Sequence, residues 1–121
     1  MSSVIVPPIG YPIPKQRIRQ ITEIRKSRFI TTLAPVTDMA QVQAFLSDLK
    51  QEFPDASHHC WAFLLGRPHS SAHVGMSDDG EPKGTAGRPM LTVLLHADVG
   101  DVMVIVTRYF GGTKLGTGGL Q

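Results

Sequence analysis

The sequence predicts an α+β domain, a two-layer arrangement of one sheet with helices on one face. Three observations carry that expectation. Two stretches place apolar residues at helical spacing, and they sit among shorter stretches rich in β-branched and aromatic residues. The resulting order, β-β-α-β-(β)-α-β, mixes strands and helices without the strict alternation of a parallel α/β sheet. The chain has 121 residues, 41% hydrophobic and 18% charged, enough for one domain with a real core and too apolar for global disorder.

Each element has its own signal. Residues 1–17 form an extended lead-in, with Pro7, Pro8, Pro12 and Pro14 set around Gly10 and Tyr11. A sheet strand is not expected there, and the folded domain is expected over 18–121. Ile, Thr and Phe enrich 18–34, with Arg-Lys-Ser interrupting at 25–27. This predicts two strands, about 18–24 and 28–34, joined by a turn and closed by Pro35. Thr37 or Asp38 then caps a helix running to about Phe53. Val42, Phe45, Leu46, Leu49 and Phe53 make its apolar stripe, Asp38 with Gln41 resembles a capping pair, and Pro54 ends it. The run 59–65 is apolar enough to be a central strand buried on both faces. A short strand near 72–76 precedes the turn signal Ser77-Asp78-Asp79-Gly80. A second helix is expected between Thr85 and Ala97, with Pro89 in its first turn. Asp101 to Tyr109 gives the last strand.

Composition excludes several classes. Twelve glycines and nine prolines fall in clusters, not in the period of a collagen. No apolar run approaches the ~20 residues that span a bilayer. No uninterrupted apolar stretch follows a basic start, so no secretory signal is expected. Cys60 is the lone cysteine, which points to a reducing, cytoplasmic setting. Net charge is only +2, but it is uneven. Residues 1–34 carry six basic side chains and one acidic, whereas residues 35–121 carry six basic and nine acidic. The front of the chain could therefore attract a polyanion, or simply be a solvated basic surface.

Four motifs exceed what core building requires. They are Lys26-Ser27-Arg28-Phe29-Ile30; His58-His59-Cys60; Ser77 to Pro82 continuing into Gly84-Thr85-Ala86-Gly87 and Pro89-Met90-Leu91; and Arg108-Tyr109-Phe110-Gly111-Gly112-Thr113-Lys114-Leu115-Gly116 with Gly118 and Gly119. In this order they resemble the signatures of the IMPACT family, also called YigZ-type, over about residues 20–121. The resemblance implies that family's N-terminal domain. That fold is similar to a ribosomal-protein and elongation-factor-G domain IV fold with a left-handed βαβ crossover, against the usual right-handed rule. Family members usually continue past the glycine-rich loop into another helix, and bacterial ones into a ferredoxin-like second domain. The resemblance thus implies that this chain ends before both.

The residues suggest three chemistries. Glycines after a strand let successive N–H groups face an anion. With Lys114 and the fork of Arg108 they could hold phosphate. The competing explanation is a crossover that needs glycine for tight packing. The loop matches neither a P-loop nor a dinucleotide fingerprint, and no cofactor is expected. The candidate phosphate or nucleic-acid set is Arg28, His58, Arg108, Tyr109, Gly111, Gly112, Lys114 and Gly116. Asp78, Asp79 and Glu81 form a possible acidic site, able to bind a metal or act as acid and base, or else are ordinary turn chemistry. A zinc site from His58, His59 and Cys60 lacks a recognised fourth ligand among His69, His73 and His96, and no metal is expected. No nucleophile elbow or cysteine-protease signature is present.

These readings give a non-enzymatic, translation-linked domain that contacts RNA or a ribosomal or translation-factor partner through phosphates. The resemblance supplies the alternative of a protein-interaction regulator. Eukaryotic relatives are understood to modulate the amino-acid-starvation branch of translational control by competing for a partner protein. A metal-dependent enzyme acting on a phosphorylated small molecule is the third reading. No membrane contact is expected.

Overall fold

A computed structural model describes residues 4–5 and 13–110 of the chain. Its largest unit begins with a hairpin, β3 (Ile18–Ile24) and β4 (Ser27–Pro35). The two linking residues, Arg25 (φ 51°) and Lys26 (φ 68°), both occupy the left-handed region. That conformation matches the twist of the flanking strands in a two-residue loop, although neither residue is the usual Asn or Gly. Before it, β1 (Val4–Ile5) pairs antiparallel with β2 (Ile13–Pro14), where no strand was expected. Pro14 lacks an N–H, but this small ladder lies apart from the main sheet and the ring is buried.

Helix α1 (Met39–Glu52) starts as its sequence predicts. Asp38 takes extended backbone angles and its carboxylate accepts the Gln41 N–H at 2.8 Å. The Gln41 side chain reaches back one residue further than in the usual box and accepts the N–H of Thr37 at 2.8 Å. Phe53 caps the far end, its N–H bonding the Leu49 carbonyl. Strands β5 (His58–Leu64) and β6 (Val74–Ser77), helix α2 (Gly87–His96) and strand β7 (Val102–Tyr109) complete the order.

The five strands form one antiparallel sheet in the order β3-β4-β7-β5-β6. Strands β4 and β5 both run opposite to β7, so α1 crosses over between two parallel strands with β7 between them. Helix α2 makes the equivalent connection from β6 to β7 across β5. The class is α+β, but the helices do not share a face. Val42, Phe45 and Leu49 of α1 pack with Ile30, Phe63, Met103 and Ile105. Leu94 of α2, with Met90 and Leu91 beside it, packs with Ala62, Leu64, Val102 and Val104. Residues 62 and 63, or 104 and 105, point to opposite sides of a strand. The sheet is therefore covered on both faces, which is what the doubly apolar β5 and β7 demand.

The registers Arg28↔Tyr109, His58↔Arg108 and Trp61↔Ser77 bring one end of the sheet together. The 25–26 turn, the start of β5, the acidic turn after β6 and the end of β7 all lie there. The described part of each sequence motif thus gathers at a single edge of the fold. Three of the six cations of the basic front are already paired with carboxylates. Arg17 pairs with Asp48 of α1 at 2.8 Å, Arg19 with both oxygens of Glu52 at 2.6 and 2.9 Å, and Arg28 with Glu23 at 3.6 Å.

Candidate functional site

The centre of the motif edge is Asp78. Its Oδ1 accepts the N–H groups of Ala86 (3.0 Å) and Gly87 (2.6 Å), and its Oδ2 accepts that of Gly84 (2.8 Å). Three donors around one carboxylate favour its charged form. The Gly84 and Gly87 bonds, ahead of that from Ala86, hold the carboxyl below its usual pKa. The N-cap residue of α2 is Ala86, which has no side chain to offer, so Asp78 caps the helix from across the loop. This delays the helix start to Gly87, two residues after the expected position. Gly87 also lies hard against the end of β6. A Cβ there would sit 2.9 Å from the Ser77 carbonyl carbon and oxygen, so only glycine allows that approach.

Asp79 and Glu81 turn elsewhere. Asp79 Oδ2 accepts the backbone N–H of His59 at 2.7 Å, and its carbonyl accepts from His58 Nδ1 at 2.6 Å. Glu81, with a side chain only 9% exposed, accepts from Arg108 Nη1 through both oxygens at 2.8 and 2.9 Å. The three carboxylates thus serve three different partners rather than one site. Among the described residues no group of three His, Cys, Asp or Glu side chains is placed to hold a metal ion.

Arg108 is the most heavily engaged cation of this edge. Its guanidinium lies 4.4 Å from the Phe110 ring centre and 5.3 Å from that of Phe29. Its Nε is buried with no hydrogen-bond partner among the described residues. The Phe110 ring also meets His58 edge-on, at 5.4 Å. Beside this stack opens a cleft of about 470 Å3 between the sheet and the start of α2. Phe29, Cys60, Val106, Pro89 and Met90 line it, together with the Arg108–Glu81 pair. A cleft of this size and mostly apolar lining suits a ligand group or an inserted side chain.

The three residues opening β5 divide as their alternation predicts. Cys60 faces the cleft, and its thiol donates to the Asp78 carbonyl at 3.1 Å. Burial first, and then the nearby Glu81 charge, push the thiol up to about 12, so it stays protonated and is a poor nucleophile. His59 faces the other side, between Thr107 (Nδ1, 3.0 Å) and the Phe53 carbonyl (Nε2, 3.2 Å). A carbonyl only accepts, so Nε2 carries the proton and the Thr107 hydroxyl donates to Nδ1. Burial lowers the pKa of His59 and keeps the ring neutral.

Of the described residues of the expected anion-binding set, His58 and Arg108 alone come together. Arg108 is already bound to Glu81. Arg28 lies across the sheet from it, because Phe29, not Arg28, is the register partner of Arg108. Tyr109 also points the other way and is buried in the α1-side core, edge-on to Phe53 at 6.4 Å. Gly111, Gly112, Lys114 and Gly116 lie outside the described residues. The cleft residues Phe29, Pro89 and Met90 were not expected as functional, although all three fall within sequence motifs.

Comparison with known proteins agrees with the motif reading. Residues 25–121 match the family model described as the Impact N-terminal domain. A Haemophilus influenzae protein named as an IMPACT family member is 49% identical over 110 residues, 91% of this chain and 53% of its own length. A solved structure of a hypothetical protein superposes with a TM-score of 0.80 at 49% identity, covering 89% of this chain and 52% of that one. The two-domain translational regulator Yih1 superposes with a TM-score of 0.52 at 32% identity, covering 84% of this chain and 38% of its own. The chain spans about half the length of the first two.

Proposed function

The chain belongs to the IMPACT family, and from that premise we propose that it regulates translation in the cytoplasm by docking a partner protein at the motif-edge cleft. The family and its translational-regulator neighbour support the process. One observation supports protein over nucleic acid as the partner. The cleft's cation is bonded to Glu81 and stacked on aromatic rings, leaving a mostly apolar surface with a neutralised charge. Such a surface suits an apolar side chain from a partner, which a few buried anchors can hold. The lone, protonated Cys60 also suits a reducing compartment.

A phosphate-contact reading keeps one specific support. Arg25 and Lys26 are exposed at the turn of the same edge. One experiment separates the two. Binding of the chain to purified ribosomes with their associated factors is measured before and after nuclease, across a salt series. Met90→Glu, which places a charge in the cleft, is expected to weaken binding at least about tenfold. Exchanging Arg25 and Lys26 for Glu should change it less than about twofold. Nuclease-sensitive binding that falls steeply with salt and follows Arg25 and Lys26 would favour RNA instead.

A further inference from the structure

Strand β3 is one of the two edges of the sheet, the other being β6. Among the described residues nothing pairs with its outer side, and all seven of its residues are exposed. Three of the exposed large hydrophobic side chains lie on it: Ile18 (37%), Ile21 (51%) and Ile24 (55%). Natural edges are normally blunted by like charges, proline or bulges, because unpaired backbone groups invite another strand. Here the strand reads Ile-Arg-Gln-Ile-Thr-Glu-Ile, which is symmetric about Ile21 in chemistry as well as in length.

We propose that β3 pairs with β3 of a second copy of this chain, antiparallel and centred on Ile21. In that register Ile18 meets Ile24, Arg19 meets Glu23, Gln20 meets Thr22, and Ile21 meets its own equivalent. Every position finds a compatible partner, and the Arg19–Glu23 contact forms twice by symmetry. A parallel arrangement would set Arg19 beside Arg19 and Glu23 beside Glu23.

The backbone supports the same centre. The two-residue turn makes Ile24 and Ser27 a hydrogen-bonded pair, and such pairs alternate along an antiparallel ladder. Ile18, Gln20, Thr22 and Ile24 therefore spend their N–H and C=O groups on β4. Those of Arg19, Ile21 and Glu23 point outward. Pairing about Ile21 matches outward residues with outward residues: Arg19 with Glu23, Ile21 with Ile21. A register slipped by one residue loses that match and turns each side chain toward the wrong face.

The side chains have room to meet. Arg19, Ile21 and Glu23 lie on the α1 side of the sheet, where α1 packs mainly over β7 and β5 and reaches β3 through the Arg19–Glu52 pair. Arg19 keeps Glu52, and Glu23 keeps Arg28, so the new contacts extend two existing ion pairs into one network. The product is one continuous sheet through both copies, with the exposed isoleucines covered. This inference stands apart from the cleft, which opens between β4, β7 and β5 and the start of α2 and has no β3 residue in its lining.

The test is sedimentation equilibrium of the chain over rising concentration. The expected result is a reversible monomer–dimer equilibrium. Ile21→Lys puts like charges at the two-fold axis and should weaken association at least about tenfold. Because Ile21 is exposed, its thermal midpoint should stay close to that of the parent. Glu23→Lys and Arg19→Glu should each fail to self-associate, since each sets like charges opposite one another. Mixed together they should recover association, because each altered charge then meets its opposite. A chain that stays monomeric at millimolar concentration overturns the proposal. So does a dimer indifferent to Ile21→Lys, or a mixture that fails to recover association.

Discussion

Asp78 shows how little a residue's type reveals about its job. The Asp-Asp-Gly run was compatible with a metal site, an acid–base pair or a turn. Three backbone N–H groups around Asp78 resolve it as an architectural residue that closes the loop and caps α2. Its carboxyl is held below the ordinary range, so its contribution is present above the unfolded-state pKa and is lost as pH falls through the lower, folded one. Asp78→Asn should lower the thermal midpoint at neutral pH, since one acceptor oxygen becomes a donor facing donors. Melting curves taken from neutral pH through the carboxylate range should show part of the parent's acid destabilisation missing in the variant. The lone thiol is buried, which its type and its apolar neighbours in the chain already favour. The role of Arg108 was not, because Glu81 lies 27 positions earlier in the chain and only the folded loop makes them partners.

At the scale of elements, local chemistry carried most boundaries. The hairpin, the Asp38 cap and the helix-ending Pro54 depend on residues within a few positions of one another, and each lies within a residue or two of its expected place. The start of α2 at Gly87 is set less locally, because its cap arrives from Asp78, nine positions earlier in the chain. The α2–β6 contact supplies a sharp test. Gly87→Ala places a methyl 2.9 Å from the Ser77 backbone, where nothing flexible can yield. A loss of about 1–3 kcal/mol is expected in urea unfolding. Glycine is a poor helix former, so an unchanged or raised stability would show that α2 does not seat so closely on β6.

Over the whole molecule, one sheet shares its two faces between two small cores. Phe45 anchors the α1 side at 2% exposure and Leu94 the α2 side at 3%. Phe45→Ala should cost about 3–5 kcal/mol and Leu94→Ala about 2–5 kcal/mol. Both should displace a single cooperative transition in calorimetry, because β5 and β7 contribute to both cores. Two separate transitions would show that the faces unfold independently. The sequence by itself determined the α+β class, the order of elements and the motifs that identify the family, since periodicity, caps and turns act over short distances. It also held a clue at odds with helices on one face only: a strand as apolar as 59–65 needs cover on both sides. Only the tertiary structure decided which helix covers which face, which carboxylate meets which donor, and that Tyr109 belongs to the core while Arg108 borders the cleft. Those outcomes depend on contacts between residues remote in sequence, and a one-residue alternation along a strand sends neighbours to opposite sides of the molecule.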